Sequence, residues 1–239
     1  MIEVTRKSMA TFVIPDPHER LDAVKAVLGL APPDAKVVFL GDWFDTFKPY
    51  DEDRVYGVCG WLVNNVSNPR YTFLLGNHDV HYINTKYACS GFNPRTNAIV
   101  NAAVPHDMWR MFKVFTKVGP YLVSHAGFRE ETLPYAQEDQ CADAIEGLIR
   151  QKPSPKEPYD PLFGAGRARG GTQPYGGPTW LDWNYEFYPM GEVPQIVGHT
   201  AGAKPRVKGL PGELDSHCID THSKHYAVVD DDEIKVCVL

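Results

Sequence analysis

Long apolar runs are missing from this chain. The first, Phe12-Val13-Ile14, stops at Pro15, whereas an export signal needs roughly 7–15 apolar residues and a spanning helix about 20. We therefore expect no membrane partner and a cytoplasmic location. An excess of positive charge is missing too. Lys+Arg number 24 against 30 Asp+Glu, a formal net charge of -6, so general nucleic-acid binding is not expected. Cysteine is scarce. The 5 Cys, at 59, 89, 141, 218 and 237, are odd in number and form no close pair. That excludes a disulfide framework and a zinc knuckle, and points to a reducing compartment. Cys59, Cys218 and Cys237 read as small core residues. Repeats, low-complexity tracts and linkers are absent as well. With 239 residues, 43% hydrophobic and 23% charged, the chain is expected to form a single domain, 1–239, with a substantial core.

What is present begins with short apolar runs. Thr11 to Ile14, Lys36 to Leu40 and Tyr71 to Leu75 each stop at a polar cluster, as buried strands do. Between them, Leu21, Val24, Val27 and Leu28, then Val55, Val58, Trp61, Leu62 and Val66, recur at helical spacing. Strand, helix, strand, helix, strand predicts an α/β fold with a parallel sheet and right-handed crossovers. Ligands of such sheets bind beyond the carboxyl ends of the strands. Further along, 105–115 and 138–150 read as helical, and Tyr121 to Ser124 and Gln195 to Val197 as strands. Lys152 to Pro178 is dense in Pro and Gly and reads as a long loop anchored by Tyr159, Leu162, Phe163 and Tyr175. Residues 224–229 and 234–238 read as an antiparallel hairpin around Asp230-Asp231-Asp232.

Each expected strand is followed by residue types that bind metals. The clusters are Asp16-Pro-His18, Gly41-Asp42-Trp43-Phe44-Asp45, Gly76-Asn77-His78-Asp79, Ser124-His125 and Gly198-His199-Thr200. Any one could arise by chance; a buried His is more often a satisfied core residue than a ligand. Their joint occurrence, in order and each at a strand end, is not expected by chance. Oxygen and imidazole donors without thiolate suit Mn²⁺, Fe or Zn²⁺.

This pattern resembles that of the calcineurin-like metallophosphoesterases: D-x-H, G-D-x-x-D, G-N-H-[D/E], a later H, then G-H. Gly198-His199-Thr200, Ile219-Asp220-Thr221 and Trp180-Leu181-Asp182-Trp183 resemble the bacterial and phage branch of the phosphoprotein phosphatases. Ala201 stands where many phosphodiesterases and nucleases carry a last His. The resemblance implies mixed β-sheets flanked by helices, in an α+β sandwich. It also implies two divalent ions, one on Asp16, His18 and Asp42, the other on Asp42, Asn77, His125 and His199, with Asp42 bridging. A hydroxide held between two such ions is a nucleophile at neutral pH. His78 would then be the general acid, with Asp45 orienting it. Asp79 reads as a turn-capping carboxylate.

Departures from the pattern fall on substrate recognition. Thr46 replaces the phosphate-clamping Arg of G-D-x-x-D-R-G, Asp182 stands at a second Arg position, and Glu19 follows D-x-H in place of Gly. Candidate replacements for binding substrate are Arg129, Arg167 and Arg169, with Arg95 and Trp180 also considered. Trp180, Trp183, Tyr185, Phe187 and Tyr188 could stack a nucleobase, although packing is the commoner role of such a run. His217, His222 and His225 read as surface or hairpin residues. The leading reading is a phosphatase acting on phosphomonoesters, protein serine/threonine phosphatase-like. Two others stay open: a nucleotide or dinucleoside polyphosphate hydrolase, nucleic-acid end phosphatase or phosphodiesterase, and a metal-binding scaffold without catalysis. The expected partner is a phosphorylated substrate, phosphoprotein or nucleotide.

Overall fold

The structure, a computed structural model, describes residues 9–46, 48–151 and 160–239. Phe47 and the first part of the expected loop, 152–159 with its proposed anchor Tyr159, lie outside the described residues.

Three strands, β1 (Thr11–Ile14), β2 (Lys36–Phe39) and β3 (Tyr71–Phe73), run parallel, with Phe12 beside Val37 and Val37 beside Tyr71. The crossovers are α1 (Leu21–Leu30) and α2 (Glu52–Asn65). The unbroken apolar runs follow from burial on both faces. Phe12, Ile14, Val37 and Phe39 pack against the helices, while Val13, Val38 and Leu40 pack against a second sheet. The expected C-terminal hairpin is β9 (His225–Asp230) with β10 (Glu233–Val238), turning through Asp231 at φ 54°. It joins this sheet antiparallel to β1, Thr11 facing Val229, to give the order β10-β9-β1-β2-β3.

The second sheet has the order β4-β5-β6-β8-β7, from β4 (Phe115–Val118), β5 (Tyr121–Ser124), β6 (Gln195–Val197), β7 (Arg206–Lys208) and β8 (Ser216–Cys218). β5, β6 and β8 run parallel, and β4 and β7 are antiparallel edges. Val13, Val38, Leu74, Val123, Ile196 and Ile219 fill the space between the sheets. The outer face of the second sheet is covered by Leu181, Trp183 and Phe187 on Val197 and Cys218.

The structure corrects several expectations. Residues 105–115 are not one helix. A 3₁₀ turn over His106–Met111 opens at Pro105, and the chain then extends, Lys113 bridging Leu74, into edge strand β4. Its apolar residues Met108, Trp109 and Phe112 are buried without helical spacing being needed. Two helices escaped notice, α3 (Asn77–Ile83) and α4 (Pro94–Ala103), as did β4, β7 and β8. The expected helix at 138–150 is α5 (Glu138–Ile149). Cys59 and Cys218 are core residues as read, whereas Cys237 is only half-buried on β10 and Cys141 is buried instead. The aromatic run divides: Trp183 and Phe187 stack in the core, while Tyr185 and Tyr188 are exposed. Among the described residues, no helix is long and apolar enough to cross a membrane.

Candidate functional site

Loops after β1, β2, β3, β5 and β6 meet at one rim of the sandwich. They approach closely because glycine lets them. A Cβ on Gly41, whose φ is 100°, would lie 2.2 Å from Gly76 N, so only glycine serves there. Beside that contact, the buried Asp79 carboxylate accepts the backbone N–H of Gly76, Asp42 and Trp43 at 2.9, 2.8 and 2.9 Å. It ties the β2 loop to the start of α3, a larger task than capping one turn. Burial and then the Asp42 charge push its pKa up to about 7, against the pull of those N–H groups. His18, Asp42, Asp45 and His199 all have positive φ. Such strain in non-glycine residues gathers where surrounding structure imposes it.

The six expected metal donors converge. His125 Nε2 lies 3.1 Å from His199 Nδ1, 3.2 Å from Asn77 Oδ1 and 3.4 Å from Asp42 Oδ2. His18 Nε2 is 3.8 Å from the same Asp42 oxygen. Behind the rings, His125 Nδ1 donates to Leu40 O at 2.9 Å and His18 Nδ1 to Phe44 O at 3.0 Å. That fixes the tautomer and turns each Nε2 inward, as metal-binding imidazoles require. Asp16 Oδ2 accepts His199 N at 2.7 Å, while its Oδ1 is buried without a hydrogen-bond partner among the described residues, 3.3 Å from a His125 Nδ1 already committed to Leu40. Imidazole nitrogens and carboxylate oxygens facing one another with an orphaned buried oxygen among them fit a cation, and these residues could hold one or two.

Charge in the centre points the same way. Burial would lower His125, but Asp42 and then Asp16 hold it well above its ordinary pKa. Burial would raise Asp42, but His125 and His78 hold it well below. Burial, with the His125 charge beside it, pushes His199 well below its ordinary value.

Asp45 sits next to the donors. His78 Nδ1 is 2.7 Å from Asp45 Oδ2, leaving His78 Nε2 available to a reacting group. His81 Nε2 lies 2.7 Å from the same oxygen, and the Tyr82 hydroxyl donates to Oδ1. His81 Nδ1 in turn meets Cys89 Sγ at 3.2 Å. The sequence reading missed His81, Tyr82 and Cys89. The signal was helical spacing within Asn77 to Ile83, which places His78, His81 and Tyr82 on one side of α3. His78, His81 and Cys89 also bring three donor atoms together. Burial pushes the Cys89 thiol up to about 12, and His81, bonded to Cys89, faces the same Asp45 oxygen as His78.

Of the five substrate candidates, two reach the site. Arg169 forms a 2.7 Å ion pair with Asp182 and donates from Nη2 to Thr200 Oγ1 at 2.7 Å, beside His199. Trp180 stands edge-on to the His199 ring at 5.7 Å. Arg129 is engaged elsewhere, with Glu131, the Glu186 carbonyl and the faces of Tyr175 and Tyr188. Arg167 is exposed, and Arg95 lies over Tyr50. The segment carrying Arg169 is knit by Glu186, whose carboxylate accepts Ala168 N, Gly176 N and Asp182 N. His217 packs on Tyr121, and His225 bonds Thr221 in the approach to the hairpin.

Comparison with known proteins agrees with this architecture. The family model for calcineurin-like phosphoesterases matches residues 9–202. The fold is similar to a cold-active protein-tyrosine phosphatase of a psychrophilic Shewanella species, with a TM-score of 0.66, 16% identity and coverage of 96% of this chain and 78% of that one. It is also similar to a protein serine/threonine phosphatase from Saccharomyces cerevisiae, with a TM-score of 0.54, 14% identity and coverage of 99% of this chain and 82% of that one. No curated protein sequence matches the chain.

Proposed function

The chain belongs to the calcineurin-like phosphoesterase family, and from that premise we propose that it is a phosphatase hydrolysing phosphomonoesters at a dinuclear centre, with Mn²⁺ as its working metal. Asp16, His18, Asp42, Asn77, His125 and His199 would hold the ions. The observation that carries this reading is the meeting of their donor atoms around Asp42 Oδ2, which faces both His18 Nε2 and His125 Nε2. A carboxylate between two such nitrogens suits a bridging role. When bound, two divalent ions supply Lewis acidity at the phosphate and lower the pKa of an attacking water towards about 7.

The protein's own groups do the rest. As water adds to phosphorus, the bond to the ester oxygen breaks and that oxygen needs a proton. His78 can provide it from Nε2, giving free alcohol and inorganic phosphate. Burial would lower the His78 pKa, but Asp42 and the Asp45 hydrogen bond outweigh it and raise it, which keeps the acid charged. Arg169 is the cation in reach of the phosphate. An ion pair with Asp182 and a hydrogen bond to Thr200 hold it beside His199. Asp182, which occupies an Arg position of the related enzymes, thus supports an Arg supplied by another segment.

Chelation should abolish hydrolysis of phenyl phosphate and Mn²⁺ should restore it. Asp42→Asn should remove nearly all turnover and lower metal content by elemental analysis. Full activity in chelated protein would overturn the reading.

A further inference from the structure

A pocket of about 250 Å³ opens on the His18 side of the centre, lined by Asp16, His18, Arg20, Thr46, Lys48 and His222, with Ser223 beside them. Asp16 and His18 are also expected metal donors, so a molecule seated at the centre borders the pocket directly. It shares no lining residue with the opening bordered by Arg169 and Trp180.

The turns that build it are strained. His18 and Glu19 take φ of 44° and 65°, and His222 and Ser223 of 59° and 56°. Non-glycine residues persist in this left-handed region only where their surroundings impose it, and such strain gathers at functional sites. The first turn is tied down by His18 N and Glu19 N, which donate to Asp42 O and Trp43 O at 2.9 and 3.0 Å. The second is pinned by Ser223 Oγ on Asp16 O at 3.2 Å and by His222 N on Asp220 at 2.9 Å. Arg20 Nη1 donates to His222 O at 2.8 Å. That bond joins the two turns and holds the guanidinium at the wall.

The pocket is cationic in a chain of net charge -6. Arg20 and Lys48 enter no ion pair with a carboxylate among the described residues, whereas Arg54, Arg129 and Arg169 each do. Glu19, next to Arg20, is engaged by Arg54 and by Thr46 N, each at 3.4 Å. Asp22 and Asp53 border a neighbouring hollow that Arg20 and Lys48 also reach. Among the described residues, Asp16 is the one carboxylate lining the pocket itself, and it belongs to the centre. Two cations on a small pocket, one of them held in place by a carbonyl, suit an oxyanion bound by charge-assisted hydrogen bonds.

We propose that this pocket is a subsite for a second oxyanion of the substrate. The phosphomonoester carries on its alcohol a carboxylate or a further phosphate, which Arg20 and Lys48 grip while the first phosphate lies at the centre. Carboxylate and phosphate share the chemistry that these side chains recognise. Arg20 and Lys48 then set specificity by charge. The inference rests on the phosphatase reading for the placement of the first phosphate.

Phosphonates, whose P–C bond is not hydrolysed, separate binding from turnover. Calorimetric titration of the full-length, Mn²⁺-supplemented protein compares phosphonoacetate, 3-phosphonopropanoate and 4-phosphonobutanoate with the corresponding amides. At the length that spans both places, the acid should bind about tenfold more tightly than the amide, as one charge-assisted hydrogen bond predicts. The difference should shrink in high salt. Lys48→Met and Arg20→Met should each lower the ratio of acid to amide affinity, and Lys48→Arg should keep it. Lys48 is exposed, so Lys48→Met still decides if Arg20→Met, which loses the tie to His222, fails to fold. Propane-1,3-bisphosphonate against propylphosphonate makes the same comparison for a second phosphate, and the arm with the larger preference names the source. Equal binding within every pair, or no binding of any analogue, would overturn the proposal. So would a preference that Lys48→Met leaves unchanged, as direct contact of the carboxylate with metal would give. Failure of the phosphatase reading shows instead as absent phenyl phosphate hydrolysis, whatever the phosphonates do.

Discussion

One oxygen of Asp45 faces two imidazoles, His78 and His81, each at 2.7 Å, while Tyr82 holds the other oxygen. Burial would raise the Asp45 pKa; the bonds from His78 and His81 reverse that and lower it. The same pairing helps to raise His78. A histidine with a raised pKa stays protonated to higher pH, so an acid role for His78 places the alkaline limb of the kcat profile above its ordinary value. Asp45→Asn removes one of the two carboxylates responsible, and the limb should move to lower pH. Profiles of kcat against pH for both proteins would show it, and an unmoved limb would assign that limb to another group. His78→Asn should keep its metal and lose about 10²–10⁴-fold in kcat on alkyl phosphates. The loss should shrink with nitrophenyl phosphate, whose leaving group needs no proton. The donors themselves were legible because each directly follows an apolar run, so a strand end announced them. His81 was not. Its partners Asp45 and Cys89 come from other segments, and no periodicity records their meeting.

The start of α3 shows how an element can serve a site. Asp79 is its third residue, and its carboxylate holds three backbone N–H groups, two of them from the β2 loop. Asp79→Ala would leave these buried donors without an acceptor. Each such loss costs about 1–3 kcal/mol, so unfolding free energy should fall by at least about 3 kcal/mol in denaturant titrations, and metal content should fall with it. A change below about 1 kcal/mol would mean that water replaces the carboxylate. The parallel strands and α1, α2 and α5 were legible from hydrophobic spacing. Short β7 and β8 were not, since Arg206-Val207-Lys208 and Ser216-His217-Cys218 carry little apolar signal. The misread stretch at 105–115 is apolar because it fills the core, whatever its backbone does.

Taken as a whole, the molecule is two sheets joined at one rim by the candidate centre. Asp16, His18, Asp42 and Asn77 come from the first sheet's loops, and His125 and His199 from the second's. Ions there would clamp one layer to the other. A ligand that binds only the folded state stabilises it by about 2.7 kcal/mol at a hundred times its Kd, so the melting temperature should rise with Mn²⁺ and fall with chelator. Metal uptake should also weaken as pH falls. His125 has a raised pKa, so it is protonated further up the pH range, and a metal must displace that proton. Titrations at several pH values would test this; an affinity that does not fall with pH would mean that His125 is not a ligand.

The pairing of Thr11 with Val229 has a consequence for how the protein is made. During synthesis β1 leaves the ribosome long before its partner β9. Until then one edge of β1 is bare, and bare edges invite pairing with other chains. Contacts so far apart in sequence also slow folding. The nascent chain therefore passes through a prolonged interval with its first strand unguarded, when a chaperone that shields strand edges would raise the yield of folded protein.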